Sequence, residues 1–367
     1  MLLSKLVVRS MALAAAAILL AGCSGGTPKG TTSSAPSGAT TGTGLNGAGA
    51  TFPYPIYSRW FDSYSKAHPG ATVNYQSIGS GAGIQQLKNR TVDFGASDAP
   101  LSDQEVKEMP SPVVHIPTVA GAVVLSYNLP DVPDKLKLTP EAIAGIFLGK
   151  VTRWSDPAIA GANSGVKLPD TAIGVAHRSD GSGTSYIFTN YLCDVSPEWK
   201  AKVGAGKSVN WPVGLGGKGN EGVTGQIKGL PGGIGYVELA YALTNKLKVA
   251  LVRNTAGQFV EPTVASTTTA AEAAAPKLAQ DIRTPIANAA SPQAYPICGF
   301  TYILLFRDQT DATKGKAVVD LLDWCLHDGQ KMASSLDYAP LPESVVKLNE
   351  AALKTVQSQG KPLLAGR

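Results

Sequence analysis

"VAHRSDGSGTSYIFTNYL" (175–192) sets the pattern of the chain. "VAHR" reads as the end of a strand and "YIFTNYL" as a helix. Between them, residues 177–185 hold an arginine, an aspartate, two glycines, three serines and a threonine. A strand that turns through glycines into a helix is the repeating unit of α/β architecture. The same corner presents the free N–H groups of a helix start, with the helix dipole behind them, which is a place for an anion.

Two other stretches share this design. "GAGATFP" (47–53) and "IGSGAG" (78–83) each place glycines and a Ser or Thr hydroxyl before a helical pattern. Taken singly, glycine and serine before a helix is an ordinary N-cap. Three such corners in one chain point to a shared oxyanion. Around them, "PYPIYSRWFDSYSKAH" (53–68) spaces Ile56, Tyr57, Trp60, Phe61 and Tyr64 for a helix, and Ser102 with Glu105 forms a capping box. "VVHIPTVAGAVVLSYNL" (113–129) is β-rich and long enough to cross between two lobes, and "ICGFTYILLFRD" (297–308) is a second candidate crossing. The spacing predicts further helices over 265–282, 315–336 and 342–357. Alternating strands and helices throughout predict α/β lobes with largely parallel sheets.

The 367 residues, 44% apolar and 16% charged, describe a globular chain long enough for two or three domains. A net charge of +5, or +3 without Lys5 and Arg9, and no basic block argue against nucleic acid. Lys5 and Arg9 precede "MALAAAAILLAGC" (11–23), an apolar run short for a membrane span. Its "LAGC" end resembles a bacterial lipoprotein signal, which implies a signal peptide over 1–22 and lipid on the sulfur of Cys23. The alternative is an ordinary secretory signal with a chance cysteine. Residues 23–45, almost all Gly, Ser, Thr, Pro and Ala after Cys23, read as a flexible tether spanning roughly 25 Å. The expectation is an extracytoplasmic, membrane-anchored protein. Cys193, Cys298 and Cys325 remain; a Cys298–Cys325 disulfide stands against the reading that all three are small buried hydrophobes.

Arg178 can fork onto a tetrahedral oxyanion, and Asp180 can hold that fork in place. Asp98, in "FGASDAPLSD" (94–103), is a carboxylate beside an anion site unless it is merely a helix N-cap. It makes sense if the anion carries a proton. Phosphate near neutral pH can donate to Asp98, whereas sulfate cannot, and an unpaired buried acceptor is costly.

"GAGATFPYPIY", "IGSGAGI", "VDFGASDAPLSD", "RSDGSGTSYIFT", "WPVGLGGKGNEGV", "GGIGYVELAYA" and "LDYAPLPESV" resemble the phosphate-binding proteins of bacterial high-affinity phosphate ABC transporters, the PstS family, over about 46–345. The resemblance implies a two-lobed, type II periplasmic-binding-protein fold with a two-strand hinge. Lobe I would comprise 46–120 and 299–367, and lobe II 121–298. It implies one phosphate in the cleft, held by Thr51, Phe52, Ser80, Asp98, Arg178, Ser182, Gly183 and Thr184. Asp180 would support the arginine, and a transporter permease would be the partner. The tether and the extra cysteines are departures from the motif pattern, the first suiting lipoprotein members.

An enzyme is the rival reading, and another oxyanion binder or a surface adhesion protein is a second. "AKVGAGKS" (201–208) has Ala201 where a Walker A loop needs its first glycine. "GCSGG" (22–26) matches a nucleophile elbow only inside the signal and tether. His68, His115, His177 and His327 lack metal spacing, and His177 reads as a strand-end residue. No catalytic residue, cofactor or metal is expected.

Overall fold

The computed structural model describes residues 43–364. The expected signal peptide, Cys23 and most of the tether lie outside the described residues. The first strand, β1 (Thr43–Gly49), begins inside the stretch expected to be linker, because Leu45 is buried and pairs with Val73. After it come α1 (Tyr54–Ala67), β2 (Ala71–Ser77), α2 (Ser80–Lys88), β3 (Phe94–Ser97), α3 (Asp103–Glu108) and β4 (Val113–Tyr127). The apolar face spelled by Ile56, Tyr57, Trp60, Phe61 and Tyr64 is the face α1 buries. The Ser102–Glu105 capping box opens α3.

Beyond Tyr127 the chain forms β5 (Lys137–Leu138), α4 (Pro140–Phe147), α5 (Pro157–Ala160), β6 (Gly174–Arg178), α6 (Gly183–Val195), α7 (Pro197–Lys202) and β7 (Leu215–Gly217). It continues through α8 (Gly219–Gly229), β8 (Gly233–Glu238), α9 (Leu239–Thr244), β9 (Lys248–Val249), β10 (Leu251–Arg253), β11 (Phe259–Val260) and α10 (Val264–Leu278). It then returns through β12 (Cys298–Phe306), α11 (Ala312–His327) and α12 (Glu343–Leu353), and ends in the hairpin of β13 (Gln357–Ser358) and β14 (Lys361–Pro362).

The principal sheet runs β2-β1-β3-β12-β4-β8-β6-β7, with β9 also on β4. β4 belongs to both halves of the molecule. Its residues through Ala122 pair with β12, and from Val123 onward they pair with β8. Two sheets sharing one long strand make the two-lobed α/β fold. The second crossing lies at the start of the 297–308 run. All of β12 pairs within the first half, against β3 and β4, and the chain crosses just before it, where Val123 N–H donates to Ile297 C=O at 2.8 Å.

Three helices are shorter than their periodicity suggests; α12, expected over 342–357, stops at Leu353 because Gln357 joins the β13–β14 hairpin. α10 stops at Leu278, two residues after Pro276, which has no N–H for the helical ladder. α11 stops at His327 and gives way to short 3-10 turns, where the Gly329 carbonyl accepts from Trp60 Nε1 at 2.7 Å. Cys193, Cys298 and Cys325 are all free thiols, the last two buried. The disulfide alternative is therefore set aside.

Candidate anion-binding site

Parallel strands carry their loops at one end, and ligands of open α/β sheets lie there. β1 and β3 end at Gly49 and Ser97 and are parallel, as are β6, β7 and β8 in the other half. Thr51, Ser80 and Asp98 follow β1, β2 and β3, while the 178–184 loop follows β6. The expected ligands are buried. Hydrogen bonds through Asn220 join Thr51 to Thr184 and Arg178, and Arg178 to Asp180, while a second cluster joins Ser80, Asp98 and Gly183 across the two halves.

Ser80 is the meeting point of that second cluster. Its Oγ accepts from the Asp98 N–H at 3.3 Å within its own half, and from the Gly183 N–H of the opposite half at 3.0 Å. Beside it, Gly81 N–H donates to the Gly181 carbonyl at 2.8 Å. Gly183 is glycine for a steric reason, since a Cβ there would stand 2.5 Å from Asp98 Oδ2.

Arg178 lies at the end of β6 with its backbone N–H on the Tyr236 hydroxyl. Its Nε and Nη2 grip the two oxygens of Asp180 at 2.8 and 2.6 Å, and its Nη1 donates to Thr184 Oγ1 at 3.2 Å. Three of the five guanidinium N–H donors are thereby committed, leaving two for a ligand. Asp180 also accepts from the Gly219 N–H. Burial pushes the Asp180 carboxyl up, but the Arg178 bonds and charge outweigh it and hold it below its usual range.

Ser182 is the N-cap of α6, its Oγ accepting from the Ser185 N–H at 3.0 Å. The ordinary cap reading is thus true of Ser182, whose hydroxyl proton remains available. It fails for the other two corners. α1 is preceded by Pro53 and α2 by Gly79, neither with a side-chain cap, so the Thr51 and Ser80 hydroxyls serve something else. The cap reading also fails for Asp98, because α3 is capped by Ser102.

Thr51 and Phe52 are held by tyrosines. Tyr241 OH donates to the Thr51 carbonyl and Tyr338 OH to the Phe52 carbonyl, both at 2.6 Å. The Phe52 ring lies against β4, where a Cβ on Gly121 would stand 2.5 Å from its Cζ. Asp98 Oδ1 accepts from Thr301 Oγ1 at 2.8 Å. Burial raises the Asp98 carboxyl to about 7, against the pull of Thr301, the Arg178 charge and Ser80.

Several participants escaped the sequence reading. Asn220 sits inside the noted "GGKGNEGV", and Thr301 inside the apolar run of β12. A further one is Glu238, buried at the hinge, where burial pushes its carboxyl well above the ordinary range and Ala240 N–H and Tyr338 reach its Oε2. His177 is a strand-end residue, its ring stacked on Trp211. Among the described residues, no three His, Cys, Asp or Glu side chains are grouped to hold a metal, and no helix is long and apolar enough to cross a membrane.

The model of the PBP superfamily domain matches residues 33–327. The phosphate-binding protein PstS of Xylella fastidiosa (strain Temecula1) is 48% identical over 308 residues, 84% of each chain. That of Pasteurella multocida is 46% identical over 322 residues, 87% of this chain and 93% of that one. Among solved structures, a high-affinity periplasmic phosphate-binding protein, PfluDING bound with phosphate, shares the fold at a TM-score of 0.67. It is 22% identical and covers 88% of this chain and 100% of its own. On these matches the chain belongs to the PBP superfamily and, within it, to the PstS family of phosphate-binding proteins.

Proposed function

We propose that this protein captures inorganic phosphate between its lobes and delivers it to the permease of an ABC transporter. The observation that carries the reading is the convergence at Ser80, Asp98 and Gly183. The helix starts of the two halves meet there, the Ser80 hydroxyl accepting from the Asp98 and Gly183 N–H groups, beside the buried Asp98 carboxyl. Thr51, Phe52, Ser80, Asp98, Arg178, Ser182, Gly183 and Thr184 are the ligands in this reading, with Asp180 holding the guanidinium. Uncharged donors and one arginine satisfy a desolvated dianion without trapping it. Asp98 accepts the proton that phosphate carries and sulfate lacks.

The lobes comprise 43–122 with 298–364, and 123–297, and rotate about the paired crossings to admit the ion. The protein is not an enzyme in this reading, because the site offers the ion no nucleophile with a paired base. The "LAGC" end of the apolar run, with its likeness to a lipoprotein signal, supports an extracytoplasmic protein anchored by lipid on Cys23.

Calorimetry on the full chain in mild detergent tests the reading with phosphate, arsenate and sulfate. One phosphate per chain, with sulfate far weaker, is expected. Equal binding of sulfate, or none of phosphate, overturns it.

A further inference from the structure

We propose that Asn220 is a positioning residue that turns the Thr51 and Thr184 hydroxyls into obligatory donors toward the bound anion; this rests on the phosphate reading above. Asn220 is fully buried in the first turn of α8. Its Nδ2 donates to Thr51 Oγ1 at 2.8 Å and to Thr184 Oγ1 at 3.2 Å, which uses both amide hydrogens. Its backbone N–H also donates to Thr51 Oγ1, at 3.1 Å, and Arg178 Nη1 donates to Thr184 Oγ1 at 3.2 Å. A hydroxyl oxygen has two lone pairs and one hydrogen. With two donors aimed at each oxygen, the proton is what each hydroxyl has left to offer.

The amide orientation is set by the hinge. Asn220 Oδ1 accepts from the Glu238 N–H at 2.9 Å, and Glu238 stands opposite Val123 of β4. A flipped amide would face that N–H with its own NH2 group, so the backbone chooses the orientation. Thr51 belongs to the first half of the molecule, while Thr184 and Asn220 belong to the second. One side chain therefore aligns a donor from each. Both hydroxyls suit unprotonated oxygens of the ion, which leaves the acceptor role to Asp98. Asn220 thus helps dictate which phosphate oxygen carries the proton.

Asn220→Asp keeps the shape and the bond from Glu238 N–H but reverses the polarity, because its carboxylate accepts the two threonine protons. Phosphate titrations of the full chain should show the dissociation constant of Asn220→Asp raised roughly a hundredfold at about pH 8. Its ratio to wild type should shrink toward about pH 5, as the aspartate gains a proton and donates again. Asn220→Ala should give a smaller loss whose ratio is flat with pH. In a Thr51→Val/Thr184→Val background, Asn220→Ala should have little further effect, which decides the matter even if Asn220→Asp fails to fold. Asn220→Asp binding within about threefold of wild type, a ratio indifferent to pH, or full additivity in the valine background overturns the inference. Failure of the wild type to bind phosphate overturns the functional reading and this inference with it. Binding by wild type with Asn220→Asp unaffected overturns this inference alone.

Discussion

Thr301 donates its hydroxyl to Asp98 Oδ1 at 2.8 Å, from one strand of the first half to the end of its neighbour. This bond commits one carboxylate oxygen to the protein, while Oδ2 lies on the side facing Gly183. Thr301→Val retains the shape and removes the donor. Asp98 then loses a bond worth about 1.5–3 kcal/mol, and its carboxyl rises further. Phosphate affinity should fall roughly tenfold, and discrimination against sulfate should weaken near neutral pH. Unchanged selectivity in competition titrations would show that Asp98 is oriented by something else.

Burial sets Asp98 near 7, so its charge changes within an ordinary buffer range. Above that value the carboxylate can only accept; below it, the acid can donate to a sulfate oxygen. Sulfate should therefore compete better as pH falls from 8 to 5, while phosphate continues to bind. A sulfate-to-phosphate ratio flat over that interval, in Asp98 but not in Asp98→Asn protein, would contradict this assignment.

The same group gives a stability signature without any ligand. Its carboxyl titrates near 3.8 in the unfolded chain and near 7 in the folded one. The folded state holds the proton more tightly, so the contribution is fully present below 3.8 and is lost as pH rises through about 7. Phosphate-free Asp98→Asn should therefore be more stable than wild type at about pH 8, on the order of a few kcal/mol, and converge with it toward about pH 5. Urea titrations at both pH values measure this, and an equal gap at both would refute it.

At the rim of the cleft, Lys207 Nζ reaches both oxygens of Glu105 at 2.7 Å, joining the two halves. The pair is partly exposed, the side chains at 20% and 26%, so its worth is modest. The Ser102 N–H also holds Glu105 in place. Glu105→Gln should weaken phosphate binding only a few-fold, chiefly through faster release, and the difference should fade in high salt. A stopped-flow release rate equal to wild type at low salt would remove this pair from the closing contacts.

Strand-to-helix corners were legible because glycine and hydroxyl residues leave a local mark. The 47–53, 78–83 and 177–185 stretches all lie at the C-terminal ends of strands, and Asp98 and Arg178 each join one of the two hydrogen-bond clusters. Asn220 and Thr301 were not legible, because their partners lie 169 and 203 residues away in the chain. The end of α11 was not legible, because the Gly329 carbonyl just beyond it is taken by Trp60, 269 residues away, whereas the end of α10 follows a proline already in the sequence.

Local order along the chain therefore determined the α/β alternation, the three glycine corners and the pairing of Arg178 with Asp180 two residues on. Only the tertiary structure decided which lone pairs those hydroxyls have left, and where the two halves exchange strand partners. The reason is that hydrogen-bond saturation and burial depend on groups arriving from remote segments, which no short window of sequence contains.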